Sequence, residues 1–171
     1  NDANLITSQD DAMWPEPQTQ PISDDHPAIG VSWNDINEVN GFLDDINLLV
    51  GCDTSSLSSD TMRYDPSIVP SGCFRLPTEA EWEFAVRGGS SKRYSFGDDV
   101  NELDTYAWFL TNSQGTSADT VGQREPNPNG LHDMHGNVRE WVFDRHSDST
   151  YTGIAQSDPI GVLSGINRVL R

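Results

Sequence analysis

From Ser90 to Arg171 the aromatic residues come singly (Tyr94, Phe96, Tyr106, Trp108, Phe109, Trp141, Phe143, Tyr151) against a background of Gly, Asn, Asp and Pro. No apolar period in that stretch is long enough for a helix, and no alternation is long enough for an extended ladder. A fold that accommodates it must be held by loop packing and local polar bonds, with short strands only. The best strand is Asn137 to Phe143, where Val138, Glu140 and Val142 alternate with Asn137, Arg139, Trp141 and Phe143.

Two periodic segments precede it. Ile36, Val39, Leu43, Ile46 and Val50 recur at spacings of three and four, which predicts an amphipathic helix over 34–50 stopped by Gly51. Gly41 inside that span opposes helix by about 1 kcal/mol relative to Ala and marks a close contact. The second segment has its ends written out. Thr78 is the expected N-cap with Glu81 closing a capping box, Trp82, Ala85 and Val86 form the inner face, and Gly88-Gly89 ends it. Before the first helix, Pro15, Pro17, Pro21 and Pro27 predict an irregular lead-in, set at residues 1–25, whose Trp14 docks on the rest. The 171 residues suit one domain, and a hydrophobic fraction of 35% is enough for a single core.

Charge narrows the function classes. Against 27 Asp and Glu there are 10 Lys and Arg, a net charge of −17, which argues against nucleic acid and against anionic membrane surfaces as partners. No apolar run approaches the roughly 18 residues of a spanning helix, so no membrane span is expected. No apolar leader precedes Asn1, so a targeting signal is either removed or lies outside this sequence. Cys52 and Cys73 have only each other as partners, across a Ser-rich stretch with Pro66 and Pro70 that reads as a surface excursion. A bridge would close a loop of 22 residues, and two free thiols are the alternative. A disulfide would place the chain in an oxidising compartment, in a bacterium the periplasm or outside.

Most candidate chemistry is weak. His132 and His135 are three apart, yet Gly130 and Gly136 bracket them and no HExxH pattern is present. The paired carboxylates Asp10-Asp11, Asp24-Asp25, Asp44-Asp45 and Asp98-Asp99 read as solvated faces in so acidic a chain. GxSxG, the P-loop and GxGxxG are all missing. Gly136-Asn-Val-Arg-Glu140 carries more content: a Gly/Asn turn whose carbonyls can converge, closed by a carboxylate, is the oxygen-only set that calcium takes.

Four blocks in order resemble the formylglycine-generating enzyme (sulfatase-modifying factor) family: His26-Pro-Ala-Ile-Gly-Val-Ser-Trp33; Arg75-Leu-Pro-Thr-Glu-Ala-Glu-Trp-Glu-Phe84; Ala107-Trp-Phe with Val121-Gly-Gln-Arg-Glu-Pro-Asn127; and Gly130-Leu-His-Asp-Met-His-Gly-Asn-Val-Arg-Glu-Trp141. The insertion 52–73 also looks like one in secreted bacterial members. The resemblance implies an α+β, C-type-lectin-like fold with two helices, short strands and much irregular structure. It implies calcium held by the carbonyls of His135, Gly136 and Val138 and the side chain of Glu140, and a second calcium site near Ala107 to Asp119.

The family's enzymes oxidise a sulfatase cysteine to formylglycine with oxygen and a copper ion held by two cysteines. Those cysteines follow an Arg-Gly-Gly-Ser block, whereas this sequence ends at Arg168-Val-Leu-Arg171, and the family's N-terminal strands are missing as well. Cys52 and Cys73 precede that region and do not carry over as copper ligands. The expectation is therefore a partial domain over 1–171, truncated at both ends and without the active site, from an extracytoplasmic bacterial protein that acts on a partner such as a sulfatase. The alternative is a non-catalytic, calcium-bound binding or scaffold module for a protein or carbohydrate ligand. Family members that form carbon–sulfur bonds with iron need an additional helical domain, for which this length has no room.

Overall fold

A computed structural model describes residues 24–55, 57, 64–113, 118–147, 157–162 and 165–171; the lead-in up to residue 23, with Trp14, lies outside them. The chain divides into two compact groups of residues, one containing 31–80 and 141–171, the other 24–30 and 81–140.

The first group opens with α1 (Trp33–Asn37). Ser32 caps it, with the Ser32 Oγ accepting the Asp35 N–H at 3.2 Å and the Asp35 carboxylate accepting the Ser32 N–H at 2.8 Å. The helix then stops, and α2 (Phe42–Leu49) begins after Gly41. The single helix expected over 34–50 is thus two, because Asn40 takes a left-handed conformation (φ 63°) and turns the chain back on the end of α1. A Cβ on Gly41 would lie 2.8, 2.9 and 3.1 Å from the carbonyl oxygens of Asp35, Glu38 and Ile36. The close contact expected at Gly41 is there, at a hinge and not inside a helix. The break also rotates Val39 and Val50 out of the inner face, leaving both exposed.

Leu43, Leu57 and Tyr64 form the core of this group, with Ile36, Ile46, Val69 and Leu76 packed around them. The Tyr64 hydroxyl donates to Asp44. Asn47, fully buried, clasps Phe74 by donating to its carbonyl at 2.9 Å and accepting its N–H at 2.6 Å. Cys52 and Cys73 are joined in a disulfide with their Cα atoms 5.6 Å apart. The Cys loop was expected to be a surface excursion, yet it sends Leu57 and Tyr64 into the core. Loop closure over a separation of 21 residues removes unfolded-state entropy, so replacing both cysteines by serine is expected to lower stability by about 3 kcal/mol. Urea denaturation of the double variant checks this; an unchanged midpoint would show that Leu57 and Tyr64 alone hold the loop.

The group's only sheet among the described residues pairs β1 (Trp141–Arg145) with β2 (Arg168–Leu170), antiparallel, with an irregularity between the pairs Trp141–Leu170 and Arg145–Arg168. The strand expected at 137–143 lies four residues later at its start. It does not alternate, since Val142, Phe143 and Asp144 are all buried. The reason is that both faces of β1 are occupied, Phe143 by Trp33 and Asp144 on the other side by the start of α3 (Glu79–Arg87), while on its second edge the Phe143 N–H donates to the Pro77 carbonyl at 2.8 Å. The Asp144 carboxylate accepts the Glu79 N–H at 2.7 Å, at the N-terminus of α3, where an anion is favoured by the helix dipole. Trp33 packs on Phe143 and donates its indole N–H to the Val142 carbonyl at 3.1 Å. The Arg168 guanidinium stacks 3.4 Å from the Trp33 ring centroid and donates to the Phe143 carbonyl. Burial and then the Arg145 charge pull Arg168 down to about 9, with Asp144 opposing, so it remains a cation at neutral pH.

In the second group, α3 ends where expected, at Arg87, before Gly88 (φ 56°). The buried Asn127 side chain donates to the carbonyls of Ala85 and Val86 at 2.7 and 3.1 Å, supplying donors to the end of α3, and accepts the N–H groups of Asn129 and Leu131. A short 3₁₀ turn, Val100–Glu102, leads into α4 (Leu103–Tyr106). Few helices, short strands and long irregular connections make this an α+β fold of the expected kind. No helix among the described residues is long and apolar enough to cross a membrane.

Candidate functional site

The turn from His132 to Glu140 is the part of the second group that sequence singled out. It is built by backbone pressed on backbone. The Asn137 N–H donates to the Trp108 carbonyl at 2.9 Å, and Gly136 lies so close that a Cβ there would fall well inside van der Waals contact with that same oxygen. Only glycine permits the approach. Asn137, left-handed at φ 68°, then uses its side chain as a strand would use its backbone: Oδ1 accepts the Asp119 N–H at 2.9 Å and Nδ2 donates to the Asp119 carbonyl at 3.0 Å. Trp108 is held in turn by its indole N–H on the Thr120 carbonyl and by the Arg124 guanidinium 3.8 Å from its ring centroid.

The two histidines do not converge on one ligand. His132 engages the Arg124 carbonyl through Nδ1 at 2.8 Å. His135 is bonded through Nε2 to the Ser95 hydroxyl at 2.8 Å and to the Ser95 N–H at 3.3 Å. Its ring sits edge-on to Tyr94 and Phe96, which stack on one another, and Phe96 stacks on Tyr106. Burial in this aromatic group holds the His135 imidazole below its ordinary pKa, against the opposing charge of Glu83. As a neutral acceptor, the ring serves the Ser95 N–H and fixes where its own backbone runs.

Glu140 accepts the Trp82 indole N–H through Oε2 at 2.6 Å, so α3 orients the carboxylate and Oε1 remains for another partner. No described residue donates a hydrogen bond to the carbonyls of His135, Gly136 or Val138. Unused carbonyls and one oriented carboxylate oxygen in a six-residue segment are hard oxygen donors, the type a calcium ion accepts. Among the described residues, no three His, Cys, Asp or Glu side chains gather as a metal set. A cation in this turn would therefore rest mainly on backbone oxygen.

The segment Ala107 to Asp119 is described except for 114–117. Its Asn112 accepts the Phe109 N–H at 2.7 Å and donates to Asp104 and the Ala107 carbonyl, so this side chain shapes the segment's own turn. Asn137, Asn127 and Trp82 are the residues that residue-type reasoning missed. The signal for the first two is an Asn beside Gly or Pro, where a left-handed or turn backbone leaves the amide free to bind main chain.

A family profile described as Sulfatase-modifying factor enzyme 1-like domain matches residues 3–171. The serine/threonine-protein kinase pkn1 of Chlamydia pneumoniae is 43% identical over 100 residues, covering 57% of this chain and 15% of its own length. The formylglycine-generating enzyme of Streptomyces coelicolor is 36% identical over 108 residues, covering 57% of this chain and 34% of its own. Among solved structures, Treponema denticola variable protein 1 superposes with a TM-score of 0.69 at 30% identity, covering 92% of this chain and 63% of that one. The chain thus spans about a third or less of the two relatives, and under two thirds of the solved neighbour.

Proposed function

This chain belongs to the sulfatase-modifying factor enzyme 1-like family, and from that premise we propose that its 171 residues are a calcium-supported, non-catalytic part of a formylglycine-generating-enzyme-type domain that receives a protein or peptide partner. The observation that carries the non-catalytic reading is the disulfide. The sequence contains two cysteines, and they are bonded to each other. No thiol pair is left in this stretch to hold the copper that the family's oxidases use. The disulfide equally supports an extracytoplasmic, periplasmic or secreted setting.

Calcium is assigned to the carbonyls of His135, Gly136 and Val138 with Glu140, on the strength of their unclaimed oxygens and the Trp82 bond that orients the carboxylate. The ion would cross-brace the turn by neutralising the dipoles of those carbonyls. A ligand that binds only the folded state stabilises it by about 2.7 kcal/mol at a hundredfold excess over its Kd. Adding calcium to chelator-treated chain is expected to raise the unfolding midpoint accordingly, and Glu140→Gln, which keeps an oxygen for Trp82 but removes the charge, is expected to abolish most of the rise. Identical calorimetric traces with calcium and with EDTA would remove the assignment. For the non-catalytic reading, mass spectrometry of a cysteine-bearing sulfatase peptide incubated with the chain, copper and oxygen is expected to find no aldehyde product; its appearance would overturn the reading.

A second reading is favoured by a specific observation, the 92% of this chain that superposes on Treponema denticola variable protein 1. On that reading the fold presents loops to a protein or carbohydrate ligand and no redox step is attached to it.

A further inference from the structure

We propose that the outer face of α2 is a docking surface for a cationic, apolar segment of another protein. It involves none of the residues assigned to calcium and does not depend on that assignment.

The helix is apolar on two faces. Leu43 and Asn47 point to the core, and Ile46 packs against it. Phe42, Asp45 and Leu49 follow at spacings of three and four on the opposite side with Leu48 beside them, and Phe42, Leu48 and Leu49 are 59, 78 and 84% exposed. Single exposed apolar residues are ordinary, but here Phe42 and Leu49 on one side and Leu48 on the other flank the exposed Asp45 at spacings of three and four, so three bare apolar side chains surround one carboxylate on a two-turn helix.

Charge decides the occupant. Residues 1–62 contain twelve Asp and Glu and not one Lys or Arg, the first cation being Arg63. On the patch itself Asp45 is exposed, as is Glu38 at the end of α1, and neither has a cationic partner among the described residues. A second copy docking through the same face would set Asp45 and Glu38 against their own kind, in a chain already at −17. An anionic bilayer is repelled for the same reason. A segment with Leu-like residues flanked by Lys or Arg satisfies both the apolar patch and its acids, and the acids speed its approach.

The test uses the full chain and, as probe, a peptide of about 14 residues with Leu and Lys at helical spacing, with a Leu/Glu peptide as its control. Fluorescence anisotropy is expected to show saturable binding of the Leu/Lys peptide alone. The surface variant Leu48→Ser/Leu49→Ser should weaken it at least about tenfold, while Leu110→Ser, at an equally exposed apolar position (93%), should leave it unchanged. Asp45→Asn with Glu38→Gln should weaken it several-fold and flatten its salt dependence. Equal loss in Leu110→Ser, or no loss in Leu48→Ser/Leu49→Ser, would mean only general attraction to an acidic chain and would overturn the proposal. A photoreactive p-benzoylphenylalanine in place of Leu49 then reports the occupant directly. A cross-link to the Leu/Lys peptide supports the proposal; a cross-link to residues 1–23 of the same chain, or to a second copy in the peptide's presence, overturns it.

Discussion

Gly136→Ala is expected to lower stability by about 3 kcal/mol or more, at or beyond the upper end of what overpacking a core produces. The usual escape from such a clash is rotation of a side chain, and none is available here. The added methyl meets the main chain of Trp108, with that residue's carbonyl carbon at 3.0 Å and Ala107 Cβ at 3.3 Å behind the oxygen itself. Moving the Trp108 carbonyl away breaks its bond from the Asn137 N–H, and moving the turn disturbs the Asn137 clasp on Asp119. For a domain whose whole stability is about 5–15 kcal/mol, that is a large share. Urea denaturation followed by tryptophan fluorescence measures it. A midpoint within error of the unsubstituted chain would show that the turn yields easily and that its close packing is not a constraint.

Trp33→Ala is the second large loss, expected at about 4–5 kcal/mol. Trp33 is 4% exposed. Its removal leaves a cavity against Phe143, strips the Val142 carbonyl of its donor, and takes away the ring on which the Arg168 guanidinium lies. Trp33→Phe separates these contributions, since it keeps a ring but not the N–H; its cost should be about 1–3 kcal/mol, the range for one orphaned buried acceptor. A loss below about 2 kcal/mol for Trp33→Ala would show that neighbouring side chains collapse into the space.

Sequence reading was most successful where a signal is local. Gly88 after Arg87 marked the end of α3, and the Gly-Asn pair at 136–137 marked a turn, because backbone conformation there is set by the residue itself. It was least successful where the deciding partner is distant. The periodicity across 34–50 is real, but it cannot report that Gly41 is pressed on carbonyls of α1, so one helix was expected where there are two. In the same way Val142, Phe143 and Asp144 do not alternate because Trp33 and the start of α3 occupy opposite faces of β1, contacts with no trace in the strand's own residues. The four motif blocks were legible as a family resemblance, and the profile match over 3–171 places the chain in that family. The main-chain clasps made by the side chains of Asn127 and Asn137 left no signal, because an amide that binds main chain looks, in sequence, like any loop asparagine.

The bond from the Glu79 amide to Asp144 spans 65 positions, and the pair formed by Glu79 and Arg171 spans 92. On a ribosome, the start of α3 therefore emerges long before the groups that complete it. The nascent polypeptide can form the helical turns but not secure their beginning until β1 and β2 have been synthesised, and contacts of such high order slow the final collapse. A chain assembled in this order stays open late in translation, and its last three-residue strand is what lets the start of α3 close.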